Sequence, residues 1–520
     1  MYRLAWLLSL GVGFLSLSQE ILWVRIVGFA YSGAPHGFAF TLAHFLVGIA
    51  AGAMVGKRVC DRSTDLRRSA CWALVVAAGI DLALPLLAST VLTAYETQYP
   101  LSLATAIVVS AGAKSVLFPI AHQLGSTATG PRVGRSVSRI YFANIIGSTL
   151  GPLITGYVLL DLLSVDKLMI MGGLCLLLLA AMVASPVAGK PWLRLGTLSA
   201  AAVIAVPLWR LPDAVLQSLA EVGVGEKLLY VISTRAGVLH AHTGPHGDVV
   251  YGGNVYDGRA SVDVDHNANR LDRLYLLGLV HPRPKRALVV GLSTGAWTRA
   301  LLDFPDIERI DVVEINPGYL AAISRYPDIN AVLKDPRVLL HIDDGRRWLH
   351  RHPEARFDLI VQNTTFHWRA NASSLLSIEY MREVLDHLEE QGVMTLNTTG
   401  SFDVLKTAGE AFPYAYRYAN LVYGARHALV LDPARLQRLR RPDGRYFSLA
   451  EPDGPESVVA KLRDPQLEPT AEALLRAKGE VGVITDDNLL VEYRHGRRLG
   501  PPWFTGMLPR VPSKFTINHP

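Results

Sequence analysis

The stretch ALVVGLSTG at residues 287–295, together with IDVVEIN at residues 310–316, decides the fold of the C-terminal half of this chain. Apolar residues typical of a β-strand lead into the glycine turn, a helical pattern follows, and the next strand ends on Glu314 with Asn316 just beyond it. At this spacing an acid can accept hydrogen bonds from ribose hydroxyls. The order of strand, glycine turn, helix, strand and acid therefore predicts a doubly wound domain that binds a nucleoside.

The residues that follow continue the same alternation. Helical patterns separate further strand-like runs, which lie at residues 338–342, 357–362 and 393–397. This alternation predicts a mostly parallel sheet with helices on both faces and a ligand at the carboxyl ends of the strands. Upstream, residues 213–266 alternate apolar and polar side chains around glycine turns, which predicts a small β-hairpin subdomain. The nucleotide-binding domain is predicted at residues 267–500, with a C-terminal tail at residues 501–520.

Two aspartates complete the predicted nucleoside site. Asp343 and Asp344 directly follow the strand at 338–342, where their carboxylates could accept the amino group of adenine. They could also cap a helix over residues 345–352, and one role does not exclude the other. The residues predicted to contact the cofactor are Gly291, Ser293, Thr294, Gly295, Glu314, Asn316, Asp343 and Asp344.

The N-terminal part has the composition of a membrane bundle. Of the 520 residues, 50% are hydrophobic and 18% are charged, and the composition changes sharply near Pro212. Most of the apolar runs reach the roughly 20 residues needed to cross a bilayer. The candidate spans are 4–31, 37–56, 70–95, 101–121, 139–162, 166–187 and a weaker one at 195–209. We therefore predict a transmembrane helical bundle of six or seven spans over residues 1–212.

Basic residues predict the orientation of this bundle. They cluster after the second, fourth and sixth candidate spans, whereas the other loops carry almost none. Because positively charged loops stay in the cytoplasm, these loops and the N-terminus should be cytoplasmic. If 195–209 spans the membrane, the nucleotide-binding domain lies outside, away from cytosolic nucleotides. That segment is short and contains Pro207, so we predict that it is interfacial or half-inserted and that the soluble domain is cytoplasmic.

Several ionisable residues lie inside the apolar spans. Burying an isolated charge there costs several kcal/mol, so these side chains should face one another or a water-filled cavity. Arg25 and Lys114 lie near a helix end or a bend and could instead extend to the membrane surface. The bundle could serve transport, access of a membrane substrate or anchoring. The membrane residues predicted to matter are Glu20, Arg25, His44, Asp81 and Lys114.

Neither a metal site nor a nucleic-acid surface is expected. The three cysteines form no CxxC pair, which argues against a disulfide framework or a zinc site. The histidines at 240, 242 and 246 have metal-like spacing but no supporting carboxylate or cysteine. The net charge of +6 comes mostly from the basic loops and the stretch 435–445, which indicates membrane-surface or solvated charge rather than a nucleic-acid partner.

Several motifs together resemble the spermidine and spermine synthases, and among them the bacterial branch in which the synthase-like domain follows a membrane bundle. In the bundle these motifs are Ser18-Gln19-Glu20 and FPIAHQLG at 118–125. In the soluble part they include NVYDG at 254–258, VVEINP at 312–317, and ITDDNLLVEY at 484–493. The resemblance implies a Rossmann-like α/β domain of the class I methyltransferase type in a multi-pass protein of the bacterial inner membrane. It also implies S-adenosylmethionine or decarboxylated S-adenosylmethionine as co-substrate.

The chain departs from the family pattern at residues that carry the chemistry. Aminopropyltransferases anchor the amine of the donor with an aspartate in the glycine turn, and here that position is Thr294. Their catalytic loop, DSSDP, or often SEPSNPW in the membrane-fused branch, is QNTTFHW at residues 362–368. Asn363 replaces the acid that deprotonates the attacking amine, and Phe366 replaces the second polar group. Because an amide cannot accept that proton at neutral pH, amine activation would need another base.

The resemblance also implies the remaining site residues. We predict catalytic roles for Asn363, His367 and Tyr256. His367 titrates in the useful range, although a histidine beside an aromatic loop is more often a packing residue. The predicted substrate contacts are Asp257, in the hairpin that lies over the substrate in the family, together with Trp368 and Tyr380.

The predicted function is an integral membrane, spermidine-synthase-like enzyme that transfers an alkyl group other than methyl and releases 5′-methylthioadenosine. One alternative is an S-adenosylmethionine lyase or cyclase, in which the substrate's own carboxylate attacks and no external acceptor is needed. Another is a non-catalytic nucleoside-sensing or polyamine-transport membrane protein. The expected partners are the lipid bilayer and a small cationic or nucleoside substrate, and the chain could pair as a homodimer.

Overall fold

The structure, a computed structural model, describes residues 2–91, 101–126, 133–188, 206–207, 209–210, 213–220, 226–363, 366–450, 454–489 and 491–492. The chain divides into two compact units. The N-terminal unit contains Met1–Tyr31 and His36–Glu221, and the C-terminal unit contains Ser32–Pro35 and Val222–Gly496. The predicted tail at 501–520 and most of the candidate span at 195–209 lie outside the described residues.

The N-terminal unit consists of long apolar helices. In the part of the chain that the structure describes, 6 helices are long and apolar enough to cross a membrane by length and composition. They agree closely with the six longer candidate spans. The helices of this unit are α1 (Tyr2–Ala30), α2 (His36–Arg62), α3 (Leu66–Val91), α4 (Leu101–Ser115), α5 (Leu117–Ser126), α6 (Val133–Ile154) and α7 (Val165–Ala188), and α4 and α5 together form one of the six spans. A π-helical turn at Thr155–Leu159 and a short helical segment at Leu160–Leu162 follow α6.

Two sets of contacts identify the opposite ends of α7. Near its C-terminal end, the carbonyl of Val183 accepts a hydrogen bond from the guanidinium of Arg67, which lies in the first turn of α3 (3.4 Å). Near its N-terminal end, the carboxylate of Asp166 accepts hydrogen bonds from the backbone N–H groups of Ala214 (2.9 Å) and Val215 (3.1 Å). The short helix α8 (Val215–Leu219) therefore belongs with the bundle, and not with the β-rich subdomain that was predicted to begin at residue 213.

Two of the predicted membrane charges meet inside the bundle. The ammonium of Lys114 lies 2.6 Å from the carboxylate of Asp81, and Gln19 bonds both groups at 2.7 Å. Lys114 and Asp81 are only 1% and 2% exposed, so their charges are compensated by each other rather than by solvent. The other three residues lie elsewhere: His44 bonds the carbonyl of Phe40, and Glu20 and Arg25 are half-buried.

A small antiparallel sheet opens the C-terminal unit. Its strands follow in the order β1 (Leu228–Thr234), β2 (Gly237–His242), β3 (Val249–Gly252) and β4 (Tyr256–Arg259). Thr234 pairs with Gly237 across the first turn, so a tight hairpin sets the register of β1 and β2. Within the range 213–266 predicted for this subdomain, residues 228–259 form hairpins, because short connections require antiparallel strands.

The large sheet is mixed: the strands predicted from the sequence pair in parallel, and three further strands add antiparallel pairs. It has 8 strands in the order β12-β10-β11-β9-β8-β5-β6-β7. The strands are β5 (Arg286–Val290), β6 (Arg309–Glu314), β7 (Val338–Ile342), β8 (Phe357–Gln362), β9 (Leu388–Asn397), β10 (Tyr414–Tyr418), β11 (Leu421–Ala425) and β12 (Glu468–Pro469). Strands β5 to β9 pair in parallel, whereas β10, β11 and β12 add antiparallel pairs. The reason is the two-residue turn Ala419-Asn420, which is too short for the crossover that a parallel neighbour needs.

Helices cover both faces of the large sheet. One buried cluster includes Leu277, Val289 and Phe304, and a second one includes Trp348, Ile360 and Met381. Alternate residues of each parallel strand supply the two clusters, so β5 sends Val289 to one and Val290 to the other. The helices of this unit are α9 (Asp272–Val280), α10 (Ala296–Leu301), α11 (Gly318–Ile323), α12 (Pro327–Asn330), α13 (Gly345–Arg351), α14 (Ile378–Asp386), α15 (Phe402–Ala411), α16 (Val458–Leu462) and α17 (Thr470–Leu474).

Candidate functional site

A cavity of about 290 Å³ lies at the carboxyl ends of β5, β6 and β8. Parallel strands end at the same edge of a sheet, and ligands of doubly wound folds bind at this edge. The small sheet supplies the facing wall through Gly252, Gly253 and Asp257. Of the predicted nucleoside contacts, those in the cavity wall are Gly291, Ser293, Glu314, Asn316, Asp343 and Asp344.

Glu314 organises the sheet side of this cavity. One carboxylate oxygen accepts the N–H of Leu292 in the glycine turn at 2.7 Å, and the other accepts the N–H of Asn316 at 2.7 Å. The side chain is buried, and this burial raises the pKa of Glu314 to about 7. A carboxylate oxygen has two lone pairs, so both oxygens can still accept a ligand hydroxyl.

The glycine turn approaches the catalytic loop closely. Gly291 and Gly295 have positive φ angles of 87° and 76°, which only glycine adopts at little cost. A Cβ at Gly291 would lie 3.0 Å from the carbonyl oxygen of Asn363, so a side chain there would crowd the two segments. Thr294 is buried in this turn and, unlike Ser293, does not line the cavity.

The two aspartates after β7 have structural partners of their own. The carboxylate of Asp344 accepts the N–H of Arg347 at 2.9 Å and caps α13. Asp343 is bonded by the guanidinium groups of Arg347 and Arg351, which hold its pKa below the usual range despite its desolvation. Both residues line the cavity, so the helix cap and the predicted adenine contact are compatible.

Two residues that the sequence analysis missed, Tyr319 and Arg369, join Asp257 in the wall of the same cavity. The hydroxyl of Tyr319 donates to the carboxylate of Asp257 at 2.5 Å. The guanidinium of Arg369 donates to the carbonyl of Gly252 at 3.1 Å. Burial raises the pKa of Asp257, and the nearby hydroxyl and guanidinium oppose that shift. Tyr319 and Arg369 both line the cavity, although neither belongs to a recognised motif. The one signal for this group in the sequence was the basic residue Arg369, which directly follows the QNTTFHW segment.

Asn363 lies at the end of β8 and lines the cavity, as an acid of the catalytic loop would. Its amide oxygen accepts a hydrogen bond from Asn397 at 3.4 Å. The two threonines that follow, at positions 364 and 365, lie outside the described residues. The preceding residue, Gln362, is buried and bonds the hydroxyl of Tyr380 at 2.6 Å. The amide at position 363 is therefore the group that the loop presents to the cavity at this point.

The other predicted residues fall into two groups. Tyr256 lines the cavity together with Asp257. His367 is buried and bonds the hydroxyl of Thr399 at 2.7 Å, which gives it a packing role away from the cavity wall. Trp368 and Tyr380 also lie outside the wall, with Trp368 against Phe366 and Tyr380 in the core.

A second residue missed in the sequence supports the loop after Arg369. The buried carboxylate of Glu492 accepts the N–H groups of Asn371 and Ser373, each at 3.0 Å. Glu492 lies in the segment ITDDNLLVEY, but nothing in its spacing connects it with residues more than a hundred positions earlier. Tertiary folding alone brings these groups together.

Comparisons with known proteins agree with this geometry. Residues 275–408 match the model of the spermine/spermidine synthase domain. The chain is 26% identical over 317 residues to a polyamine aminopropyltransferase of Corynebacterium efficiens, which covers 59% of this chain and 60% of the relative. It is 34% identical over 116 residues to the enzyme of the same name from Streptococcus pneumoniae, covering 22% of this chain and 40% of the relative. The chain thus spans less than two thirds of the length of these relatives.

Among solved structures, the chain is similar to a spermidine synthase in complex with the transition state analogue AdoDATO. The TM-score is 0.38 at 18% identity, and the match covers 42% of this chain and 82% of the other. Residues 275–408, which match the family model, contain the glycine turn, Glu314, the two aspartates after β7 and Asn363. Residues 275–408 are thus similar to the spermine/spermidine synthase superfamily, and the relatives found for the chain are polyamine aminopropyltransferases.

Proposed function

We propose that this protein is a membrane-embedded enzyme that transfers an alkyl chain from S-adenosylmethionine or its decarboxylated form and releases 5′-methylthioadenosine. The observation that carries the proposal is that Glu314, the glycine turn and Asn363 line one cavity at the carboxyl ends of the parallel strands. The relatives that share the domain are named polyamine aminopropyltransferases, which supports the same reaction class. The apolar helices support a multi-pass location in the bacterial inner membrane, with the bilayer as partner.

The nucleoside would be held by groups on the sheet side. Glu314 would accept hydrogen bonds from the ribose hydroxyls, and Asp344 with Asp343 would accept the adenine amino group. Backbone N–H groups of the glycine turn would lie close to the ribose and the sulfur. Such a pocket positions the reactive carbon without supplying a chemical group to it.

The bond that breaks joins carbon to a positively charged sulfur. A lone pair of the nucleophile forms a bond to this carbon, the carbon–sulfur bond breaks, and its electron pair stays on sulfur. Methylthioadenosine leaves as a neutral thioether, and an amine acceptor becomes an ammonium that gives its proton to solvent. Catalysis would therefore rest mainly on orientation and on exclusion of water.

Asn363 favours a second candidate function. An amide in the place of the acid cannot deprotonate an ammonium acceptor, whereas attack by the substrate's own carboxylate needs no base. In that reaction the carboxylate oxygen bonds to the carbon next to sulfur and methylthioadenosine leaves. The product would be a lactone, and the enzyme an S-adenosylmethionine lyase of the cyclase type.

Product analysis tests both candidates. The detergent-solubilised full-length protein is incubated with S-adenosylmethionine or its decarboxylated form, with and without polyamines, and the nucleoside product is identified by mass spectrometry. Methylthioadenosine that forms only with an amine indicates alkyl transfer, and methylthioadenosine without amine indicates the cyclase. S-Adenosylhomocysteine would reveal a methyltransferase and contradict both candidates. Tight binding without turnover would favour a nucleoside sensor or a transporter.

A further inference from the structure

Two opposite charges flank one turn of the cavity wall, at Gly252 and Gly253. Arg369 donates to the carbonyl of Gly252 at 3.1 Å. A Cβ built at Gly252 would lie 2.5 Å from the Tyr319 hydroxyl and 3.7 Å from a carboxylate oxygen of Asp257. The carboxylate and the guanidinium therefore share one short stretch of the cavity wall.

The charge composition of the wall makes this pair unusual. Among the described residues that line the cavity, Arg369 is the one basic side chain, against the acids Asp257, Glu314, Asp343 and Asp344. Asp343 is neutralised by its two arginines, and Glu314 bonds the backbone. Asp257 is held by Tyr319, a neutral donor. The wall at Gly252 and Gly253 thus presents one negative and one positive group.

The pair also lies next to the glycine turn. The hydroxyl of Ser293 donates to the backbone carbonyl of Asp257 at 2.9 Å. A Cβ at Gly258 would lie 3.3 Å from both the Ser293 hydroxyl and a methyl carbon of Thr294. A chain that extends from the sulfur of a nucleoside bound at the turn would therefore meet Asp257 first.

We propose that Asp257 and Arg369 bind the α-ammonium and the α-carboxylate of the donor, and that the donor is S-adenosylmethionine rather than its decarboxylated form. This inference rests on the proposed function. Asp257 supplies the carboxylate that is absent at Thr294, and Arg369 supplies a partner that the decarboxylated molecule cannot use. A planar guanidinium matches a carboxylate through paired N–H donors, which a lysine ammonium does not.

The preference for S-adenosylmethionine over its decarboxylated form follows from the unequal cost of removing charged groups from water when each donor binds. Binding the decarboxylated donor would bring an ammonium into the cavity beside Arg369 with no carboxylate between the two positive charges. S-Adenosylmethionine brings both charges, and each meets a group of opposite sign. A site that places a cation beside the donor chain therefore favours the donor that carries a carboxylate over the analogue that lacks it.

Equilibrium binding of three probes to the full-length protein tests the inference. The probes are methylthioadenosine, S-adenosylmethionine and decarboxylated S-adenosylmethionine. We expect the unaltered protein to bind S-adenosylmethionine at least about tenfold more tightly than the decarboxylated form. Arg369→Gln should remove this preference and leave methylthioadenosine affinity within about twofold, since that probe carries neither charge. Arg369→Lys should restore part of the preference.

Two further variants complete the design. Asp257→Asn should weaken both charged probes and spare methylthioadenosine. Arg356→Gln is the matched control, because Arg356 bonds the carbonyl of Pro353 away from the cavity and its loss should change none of the affinities. Equal affinity for the two charged donors, or an equal loss for all three probes in Arg369→Gln, would overturn the inference. Failure of the unaltered protein to bind methylthioadenosine would instead overturn the proposed function.

Discussion

At the residue scale, Glu314 combines a structural contact with the predicted contact to the ligand. Its two oxygens already hold Leu292 and Asn316, so the orientation of the carboxylate is set before any nucleoside arrives. A preorganised acceptor loses little conformational entropy when ribose binds. The same burial that fixes the side chain makes its ionisation depend on pH near neutrality.

Removing this carboxylate should weaken nucleoside binding. We expect Glu314→Ala to reduce the affinity for methylthioadenosine by more than about tenfold, because a charge-assisted hydrogen bond contributes about 1.5–3 kcal/mol. Isothermal titration calorimetry on the solubilised protein measures the change. Glu308→Ala is the control, since Glu308 is exposed and pairs with Lys285. Undiminished binding by Glu314→Ala would remove Glu314 from the site.

The affinity for the nucleoside should also depend on pH. Burial raises the pKa of Glu314 to about 7, so the carboxyl is largely protonated at pH 6 and largely ionised at pH 8. The ionised form accepts two hydroxyls, and binding of methylthioadenosine should therefore tighten as the pH rises through this range. Titrations at several pH values measure the effect. Glu314→Gln cannot ionise and should bind with a flat profile; an equally steep profile in this variant would assign the titration to another group.

At the scale of elements, Asp344 at the start of α13 combines a structural helix cap with a predicted contact to the ligand. Asp344 accepts the N–H of Arg347 and lies in the cavity wall. We expect Asp344→Ala to lower the free energy of unfolding by about 1 kcal/mol, whereas Asp344→Asn should retain most of it because asparagine caps equally well. Thermal or chemical unfolding gives the comparison. Similar losses in the two variants would show that the cap is not what stabilises this helix end.

Inside the bundle, Lys114 and Asp81 should be strongly coupled. Lys114→Met leaves Asp81 buried without its cation, and the loss of one partner of a buried pair costs about 3–5 kcal/mol. The double variant Lys114→Met with Asp81→Asn removes both charges, so we expect it to be more stable than the single variant. Thermal unfolding in detergent compares the three proteins. Additive losses would indicate that the two residues act independently.

At the scale of the whole molecule, the contacts at the two ends of α7 concern which side of the membrane each end of the bundle faces. This helix is 24 residues long, or about 36 Å, enough to span the hydrocarbon core. Arg67, in the first turn of α3 next to the basic loop, contacts its C-terminal end, and residues 214–215 contact its N-terminal end. If the basic loop is cytoplasmic, residues 214–215 lie at the outer end of the bundle. An outer location of the C-terminal unit is therefore the alternative to the cytoplasmic location predicted from the sequence.

Cysteine labelling decides between the two orientations. In a variant whose native cysteines are replaced by serine, Gln217→Cys reports the exposed face of α8 and Thr64→Cys reports the basic loop. We expect a membrane-impermeant maleimide to label Gln217→Cys in intact cells and Thr64→Cys only after permeabilisation. The reverse pattern would support a cytoplasmic domain. If Gln217→Cys is labelled from outside, the donor would have to reach the site from outside the cell membrane. Substrates would then be sought on that side.

Local sequence determined most of the elements of this protein. The apolar runs define the long helices, and the strand, glycine turn and acid at 287–316 define β5, β6 and the position of Glu314, because each pattern depends on neighbours a few residues apart. The hairpin of β10 and β11 carried a signal of the same kind in its strand-like runs around Ala419-Asn420.

Only the tertiary structure decided which distant groups meet. Arg369 joins Asp257 through Gly252, Lys114 joins Asp81 across helices, and Glu492 supports the loop after Arg369. It also places His367 and Tyr380 outside the cavity wall, although the family resemblance had implied site roles for both. The physical reason is that a side chain's charge is visible in the sequence, whereas its partner and its burial depend on how whole elements pack.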